Sequence, residues 1–335
     1  MPAPLVDAAP DAAPCPPLPA APTTRLTPTA GELFYAQLGL GGLSIGEAAV
    51  LIGPDGTTVL IDVGNDSHDD DVAAAVAEWT AATTVDHIVI THFHADHGDG
   101  LTGVLGRVQL TGSIVHRGLT DLTDAANAAT IAAVCSAGRG APLCTSAGAP
   151  SCDPAAWTGT YPATACPGLG TSLALGAGAT LTFVAADGVI GGERFETVVG
   201  PIRTSDSNGE NARSVVALVQ AGRFRMLLAG DLTGGGSDTD DVEGFYAPRL
   251  AAAGLDARGV DVLHLGHHGR DTSSSAAWAD RLLPADGADR NAVMGVSTAH
   301  LNSPHGAVLA TILGGGRLGA GVAEPAGRGV GEGAE

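Results

Sequence analysis

Between residues 88 and 98 the chain reads Ile-Val-Ile-Thr-His-Phe-His-Ala-Asp-His-Gly, an apolar β-branched run that leads into His92, His94, Asp96 and His97. Three imidazoles and a carboxylate within six residues form a donor set suited to divalent transition ions. Alternate residues of an extended segment share a side, so His92 and His94 can offer neutral nitrogens to one ion. Asp96 and His97 follow where the chain turns. They can serve a second ion about 3.5–4 Å away, the separation used by two-metal hydrolases. A closed structural zinc takes four Cys or His ligands, and no Cys lies near this run. The spacing therefore predicts a dinuclear site with open positions.

Such a loop needs strands to hold it and further ligands from elsewhere in the chain. Val59-Leu-Ile-Asp62 and Met226-Leu-Leu-Ala-Gly-Asp231 read as apolar strands ending in a carboxylate, and Val260-Asp-Val-Leu-His264-Leu-Gly-His267-His268 as a strand ending in a double histidine. Ser67 with Asp70 three residues on, then Val72, Ala75, Val76 and Trp79, predicts an N-capped amphipathic helix. Further helices are expected near 99–106, 119–134, 242–253 and 274–283. Strands are expected near 113–116, 180–185, 214–219, 224–229 and 292–297, with a hairpin turn at Gly222. The result is an α/β chain with two mixed β-sheets flanked by helices, an αββα sandwich.

These segments resemble the metallo-β-lactamase-fold hydrolases, whose hallmark is a His-x-His-x-Asp-His loop after a strand. Within that superfamily the chain is similar to the C-terminal hydrolase domain of ComEC-type competence proteins. That likeness rests on Pro54-Asp-Gly56, Asn211-Ala-Arg-Ser-Val-Val216, His267-His268-Gly269 and Asn302-Ser-Pro-His305. The resemblance implies that His92 and His94 hold one ion, and that Asp96, His97 and one of His267 or His268 hold the other. Asp231 would bridge them. It further implies catalytic roles for Asp96, His268 and His305, and substrate contacts from Asn211 and Ser214. Two departures stand out. Dinuclear relatives carry a further histidine before the Gly-Asp strand, where this chain has Asp206-Ser-Asn-Gly-Glu-Asn-Ala-Arg-Ser214. In the opening segment, Gln37 to Glu47, the acidic residue of the competence-type pattern has no clear counterpart. Read without a family, Asp62 could be a turn residue, His264 a core histidine and His305 a helix cap, while His68, His87, His116 and His300 have no motif around them.

The 335 residues, 44% hydrophobic, can bury one catalytic core, expected over residues 31–313 between a Pro/Ala-rich disordered leader at 1–30 and a Gly-rich disordered tail at 314–335. The chain has 16 basic residues, all arginine, against 36 acidic ones, a formal charge of −20 that disfavours long-range attraction of nucleic acid. Neither a signal peptide nor a membrane span is visible in the sequence. Cys135, Cys144, Cys152 and Cys166 cluster in an insertion at about 135–170, leaving Cys15 over. An even set predicts two disulfides, adjacent pairing being the first expectation, and hence an extracytoplasmic or secreted setting.

The expectation that follows is a metal-dependent hydrolase acting on a small ester or phosphodiester, with two divalent ions, zinc first and manganese or iron as alternatives. A lactonase or β-lactamase on the same fold is the nearest rival, and a non-catalytic metal-binding module is the rival of another class. Thiol titration under denaturing, non-reducing conditions is expected to find one free thiol, and five would remove the disulfide framework.

Overall fold

The computed structural model describes residues 27–40, 46–80, 82–119, 127–146, 164–202, 208–236, 239–284, 292–294, 304–314 and 322–323. Two mixed sheets form its centre. In the first, strands Phe34–Gln37, Ala49–Ile52 and Thr58–Ile61 run antiparallel, and His87–Ile90, Ile114–His116 and Gly140–Pro142 continue it in parallel. In the second, Glu193–Arg194, Val189–Ile190, Ala179–Ala186, Val216–Ala221 and Phe224–Leu228 are antiparallel neighbours in that order. Val262–His264, Ala292–Met294 and Val322–Ala323 then add in parallel.

Period-two alternation sorts the side chains into layers. From the first sheet Ala49, Leu51, Val59, Ile61 and Val89 face inward and meet Leu181, Phe183, Val219, Met226 and Leu228 of the second. Their neighbours Val50, Ile52, Leu60, Ile88 and Ile90 face outward onto helices Asp69–Thr80, Leu101–Leu105 and Ala128–Ala137 through Val72, Val76, Leu101 and Ile131. On the far side Leu218, Leu227 and Leu263 pack against Phe245, Tyr246, Trp278, Leu282 and Ile312, carried by the segments after residue 241. This is the expected four-layer order. None of the described helices is long and apolar enough to cross a membrane.

Several local expectations are corrected. The first helix is led in by a 3-10 turn, Asp66–His68, whose cap is Asn65 accepting from the Ser67 amide, so Ser67 is not the cap. The helix expected over 242–253 ends at Tyr246 and passes into a 3-10 turn at Ala247–Arg249, because Pro248 has no amide to continue the ladder. The Gly-rich tail expected to be unstructured contributes the strand Val322–Ala323. Cys144 is bonded to Cys166, not to an adjacent cysteine in sequence. The reason is register: Thr145 pairs with Ala165 and Ser146 with Thr164, which sets residues 144 and 166 opposite one another. Cys135 is also disulfide-bonded. Cys15, Cys152, the leader to residue 26 and His300 lie outside the described residues.

Leu51 is fully buried between the sheets. Leu51→Ala is expected to lower unfolding free energy by about 2–5 kcal/mol in denaturant titrations, against less than about 0.5 kcal/mol for Val198→Ala, whose side chain is exposed.

Candidate metal centre

Strand His87–Ile90 delivers Thr91 and His92 in extended conformation, and His94 opens the one-turn helix Ala95–Gly98. That turn carries Asp96 and His97 round to face the second sheet. There Asp231 follows strand Phe224–Leu228, brought close by Gly230 at φ +49°, whose missing side chain would otherwise lie 2.7 Å from Thr91 Oγ1. His267 and His268 have φ of +49° and +54°, a left-handed pair of non-glycine residues. Such backbone is disfavoured for L-residues and persists where surrounding contacts over-determine it.

Two groups of donor atoms converge, each within 4.8 Å of one another: Glu47, His97, Asp231 and His268 in one, His92, His94 and Asp231 in the other. Asp231 is common to both. His97 Nε2 lies 3.2 Å from Asp231 Oδ1, and His92, His267 and His268 Nε2 lie 3.8, 3.8 and 3.6 Å from Asp231 Oδ2. Asp96 Oδ2 is 3.1 Å from His268 Nε2.

The outer partners set which nitrogen faces inward. Asp62 accepts His97 Nδ1–H at 2.8 Å, together with the Thr91 amide and hydroxyl, each at 2.7 Å. Because Thr91 donates to Asp62, its oxygen accepts from His92 Nδ1–H at 3.1 Å. Glu47 Oε2 lies 3.1 Å from His268 Nδ1, and its Oε1 lies 3.0 Å from His264 Nε2. Three inner imidazoles thus turn Nε2 lone pairs toward Asp231, the second-shell arrangement typical of metal-ligating histidines. His267 differs. Asn211 Nδ2 donates to its Nε2 at 3.3 Å and its Nδ1 pairs with Thr272 Oγ1, so both ring nitrogens are engaged by protein.

Charge demand in this pocket is high. Burial disfavours a charged His97, yet Asp231, Asp62 and Asp96 outweigh it and hold the imidazole well above its usual pKa. Burial is likewise overcome at His268, which Asp231, Asp96 and Glu47 raise to about 10. Desolvation drives His92 well below the usual histidine value, only partly offset by Asp231. His97 Nε2, Asp231 Oδ1 and His94 Nε2 are buried atoms without hydrogen-bond partners among the described residues. Two lone-pair acceptors 3.2 Å apart, as His97 Nε2 and Asp231 Oδ1 are when neutral and ionised, repel unless a cation lies between them. The donors present fit divalent ions.

A family model described as the metallo-beta-lactamase superfamily matches residues 46–126, a stretch that includes Glu47, strand Ala49–Ile52 and the His-rich turn. The likeness to that superfamily thus lies in the segment that carries His92, His94, Asp96 and His97. Over 86 residues it is 35% identical to endoribonuclease ysh-1 of Neurospora crassa, which covers 25% of this chain and 10% of that one, so the chain matches about a tenth of that relative's length. Among solved structures it is similar to a subclass B3 metallo-beta-lactamase, MEM-A1, from a soil metagenome library (15% identity, TM-score 0.38, 72% of this chain and 80% of that one). It is also similar to a Cronobacter sakazakii metallo-beta-lactamase with a HARLDQ motif (16% identity, TM-score 0.38, 71% and 76%).

In the described structure the expected residues separate into an inner set and a supporting set. His92, His94, His97, Asp231 and His268 meet, with Asp96 at their edge. Ser214 is fully buried and its hydroxyl accepts the Asp231 amide at 3.2 Å, so it positions that carboxylate and has no surface for a substrate oxygen. Asn211 donates through Nδ2 to His267, while its buried Oδ1 has no hydrogen-bond partner among the described residues. His305 accepts the Asp271 amide through Nδ1 at 3.3 Å and immediately precedes helix Gly306–Gly314, a capping position at the rim.

Glu47, Asp62, Glu210 and His264 are functional neighbours that the motif reading left unassigned. Glu47 had a signal, the acidic position of the opening segment, obscured by the glycines around it. His264 shares strand parity with Val262, whose side chain joins the inter-sheet core, and parity was the only clue to its inward face. Glu210 occupies the segment that lacks the extra histidine. Its Oε1 accepts the Phe93 amide at 3.0 Å and fully buried Arg117 at 2.8 Å, and its Oε2 accepts Arg117 at 2.6 Å. Arg117 also reaches Asp187, to which Arg213 donates at 3.0 Å. A buried ion network thereby grips the backbone between His92 and His94.

Beneath Phe93 lies His116, its ring centroid 5.8 Å away. Burial, and then the adjacent Arg117 charge, push its pKa down to about 4 from the ordinary histidine value of 6.5. Between those values the unfolded chain binds the proton and the folded one does not. His116 therefore contributes stability that is present above about pH 6.5 and lost as pH falls toward 4, on the order of 3 kcal/mol over the window. His116→Phe is expected to flatten the pH dependence of urea midpoints between pH 6.5 and 4 and leave it unchanged above pH 7.

Proposed function

We propose that this chain is a metal-dependent hydrolase, of phosphodiesterase type, that works on small substrates with two divalent ions. The observation that carries the reading is the pair of donor clusters joined by Asp231. His92 and His94 with Asp231 would hold one ion, and His97, His268 and Asp231, with Asp96 or Glu47, the other. Imidazole and carboxylate donors suit zinc, with manganese or iron as alternatives. When bound, such a pair supplies Lewis acidity that lowers the pKa of an attacking water and neutralises charge on the oxygens of a scissile phosphate.

The rest of the chemistry belongs to the protein. Asp62, Thr91 and Glu47 fix the tautomers of three imidazoles, so no reorientation is needed when substrate arrives. Asp96 is the inner carboxylate with the most exposed side chain, 26% against 7% or less for Glu47, Asp62 and Asp231. It is the group placed to take a proton at Oδ2 from an incoming water and pass it outward. His267, tied on both nitrogens, positions Asn211 and Thr272 and does not carry protons.

Phosphodiester cleavage is favoured over carbonyl chemistry because two ions sharing a carboxylate suit the attacking and leaving oxygens of an in-line displacement. The local likeness to an endoribonuclease supports the same bond class. The double histidine and the Asn211–Val216 segment support kinship with the ComEC-type branch. The Cys144–Cys166 bond supports an oxidising, extracytoplasmic location.

Metal analysis with a panel of chromogenic phosphodiester, lactone and cephalosporin substrates tests the reading. About two equivalents of metal and turnover of the phosphodiester are expected, with a loss of at least about a hundredfold in His94→Ala and Asp231→Asn. Turnover of the carbonyl substrates alone would reassign the bond. Less than one equivalent of metal without any turnover would make the domain a binding module.

A further inference from the structure

Of the described arginines, nine direct their guanidinium at a carboxylate or a carbonyl, as Arg107 does at Asp69, Arg139 at Thr111 O, Arg225 at Asp256 and Arg249 at Glu193. The same holds for Arg117, Arg194, Arg213, Arg258 and Arg281. Two make no side-chain hydrogen bond or ion pair with the described residues: Arg223, at the tip of the hairpin between Val216–Ala221 and Phe224–Leu228, and Arg270. In a chain with 36 acidic residues and 16 basic ones, a cation left without a carboxylate is the exception.

The place of Arg270 is specific. It follows the His267–Gly269 turn directly, is exposed, and stands two residues from His268. Its backbone is pinned on both sides: its amide donates to His267 O at 2.9 Å, and its carbonyl accepts the Ser273 amide at 3.1 Å and the Ser273 hydroxyl at 3.0 Å. With its backbone held beside the metal turn and no partner for its guanidinium among the described residues, Arg270 has a fork available to a planar or tetrahedral anion that approaches from solvent.

We propose that Arg270 is the anchor for the phosphate of a small acidic substrate, taking an oxygen of that group that the two metal clusters leave facing solvent. This rests on the proposed hydrolase reading and narrows it to a substrate class, a phosphodiester small enough to be held by one cation. A polynucleotide would need a track of cations along its backbone, and among the described residues this side offers one.

Inorganic phosphate is the probe that separates the two proposals. Its dissociation constant would be measured by calorimetry on the metal-loaded protein, with Arg270→Ala, Arg270→Lys and, as a control for bulk charge, Arg223→Ala. Arg270→Ala is expected to weaken phosphate about tenfold, Arg270→Lys to lie between, and Arg223→Ala to match the wild type. KM for a chromogenic phosphodiester should rise by a similar factor with kcat within about twofold, while a neutral ester is unaffected. A small diester carries no condensed counterion atmosphere, so its KM should change only weakly with salt, unlike that of a polynucleotide.

Equal phosphate affinity in wild type and Arg270→Ala would overturn the assignment, as would an equal loss in Arg223→Ala or no phosphate binding at all. A salt slope of several, with an oligoribonucleotide preferred over the small diester, would overturn the substrate class. An Arg270-dependent phosphate site in a protein that turns over no phosphodiester would leave the anchor standing and sink the hydrolase reading instead.

Discussion

The architecture of this domain turns on one carboxylate. Asp231 is buried among His92, His97, His267 and His268, each with an imidazole nitrogen within 3.8 Å of one of its oxygens. A buried anion is tolerated only with compensating positive charge or donors. The pocket answers with imidazole nitrogens, which carry protons toward the carboxylate or offer lone pairs to cations held beside it. The remaining features of the centre, from the positive φ at His267 and His268 to the close approach enforced by Gly230, keep those lone pairs from turning away.

What sequence could show follows from how local each signal is. The metal turn is a short-range pattern, and His92, His94 and His97 were legible because strand and turn geometry act over six residues. Asp231 and His268 were legible because each closes an apolar run with an abrupt polar stop. The choice between His267 and His268 was not, since both bring Nε2 within 3.8 Å of Asp231 Oδ2 and only Thr272 and Asn211 show which one is held back. Ser214 was misread because a hydroxyl near a motif looks alike whether it meets substrate or a backbone amide.

The layers were readable for the same reason. Alternation in Val59–Ile61 and Phe224–Leu228 sets which residues point inward, and the strand order follows from short connections. Glu47 escaped because its function depends on His264 and His268, more than two hundred residues downstream. The Cys144–Cys166 pairing escaped because it depends on a two-residue ladder that propensity cannot resolve.

Arg117 has a consequence for how the molecule comes into being. Its guanidinium stays charged at any physiological pH, lies fully buried, and finds its counter-charges on Asp187 and Glu210, 70 and 93 residues further along. A nascent chain that has emerged from the ribosome only as far as the last strand of the first sheet, Gly140–Pro142, therefore holds an ion with no counter-charge in its apolar core. The first sheet cannot close over it until the second has been synthesised. The two halves are one cooperative unit, and a fragment trimmed to the N-terminal half would be expected to remain open and prone to association.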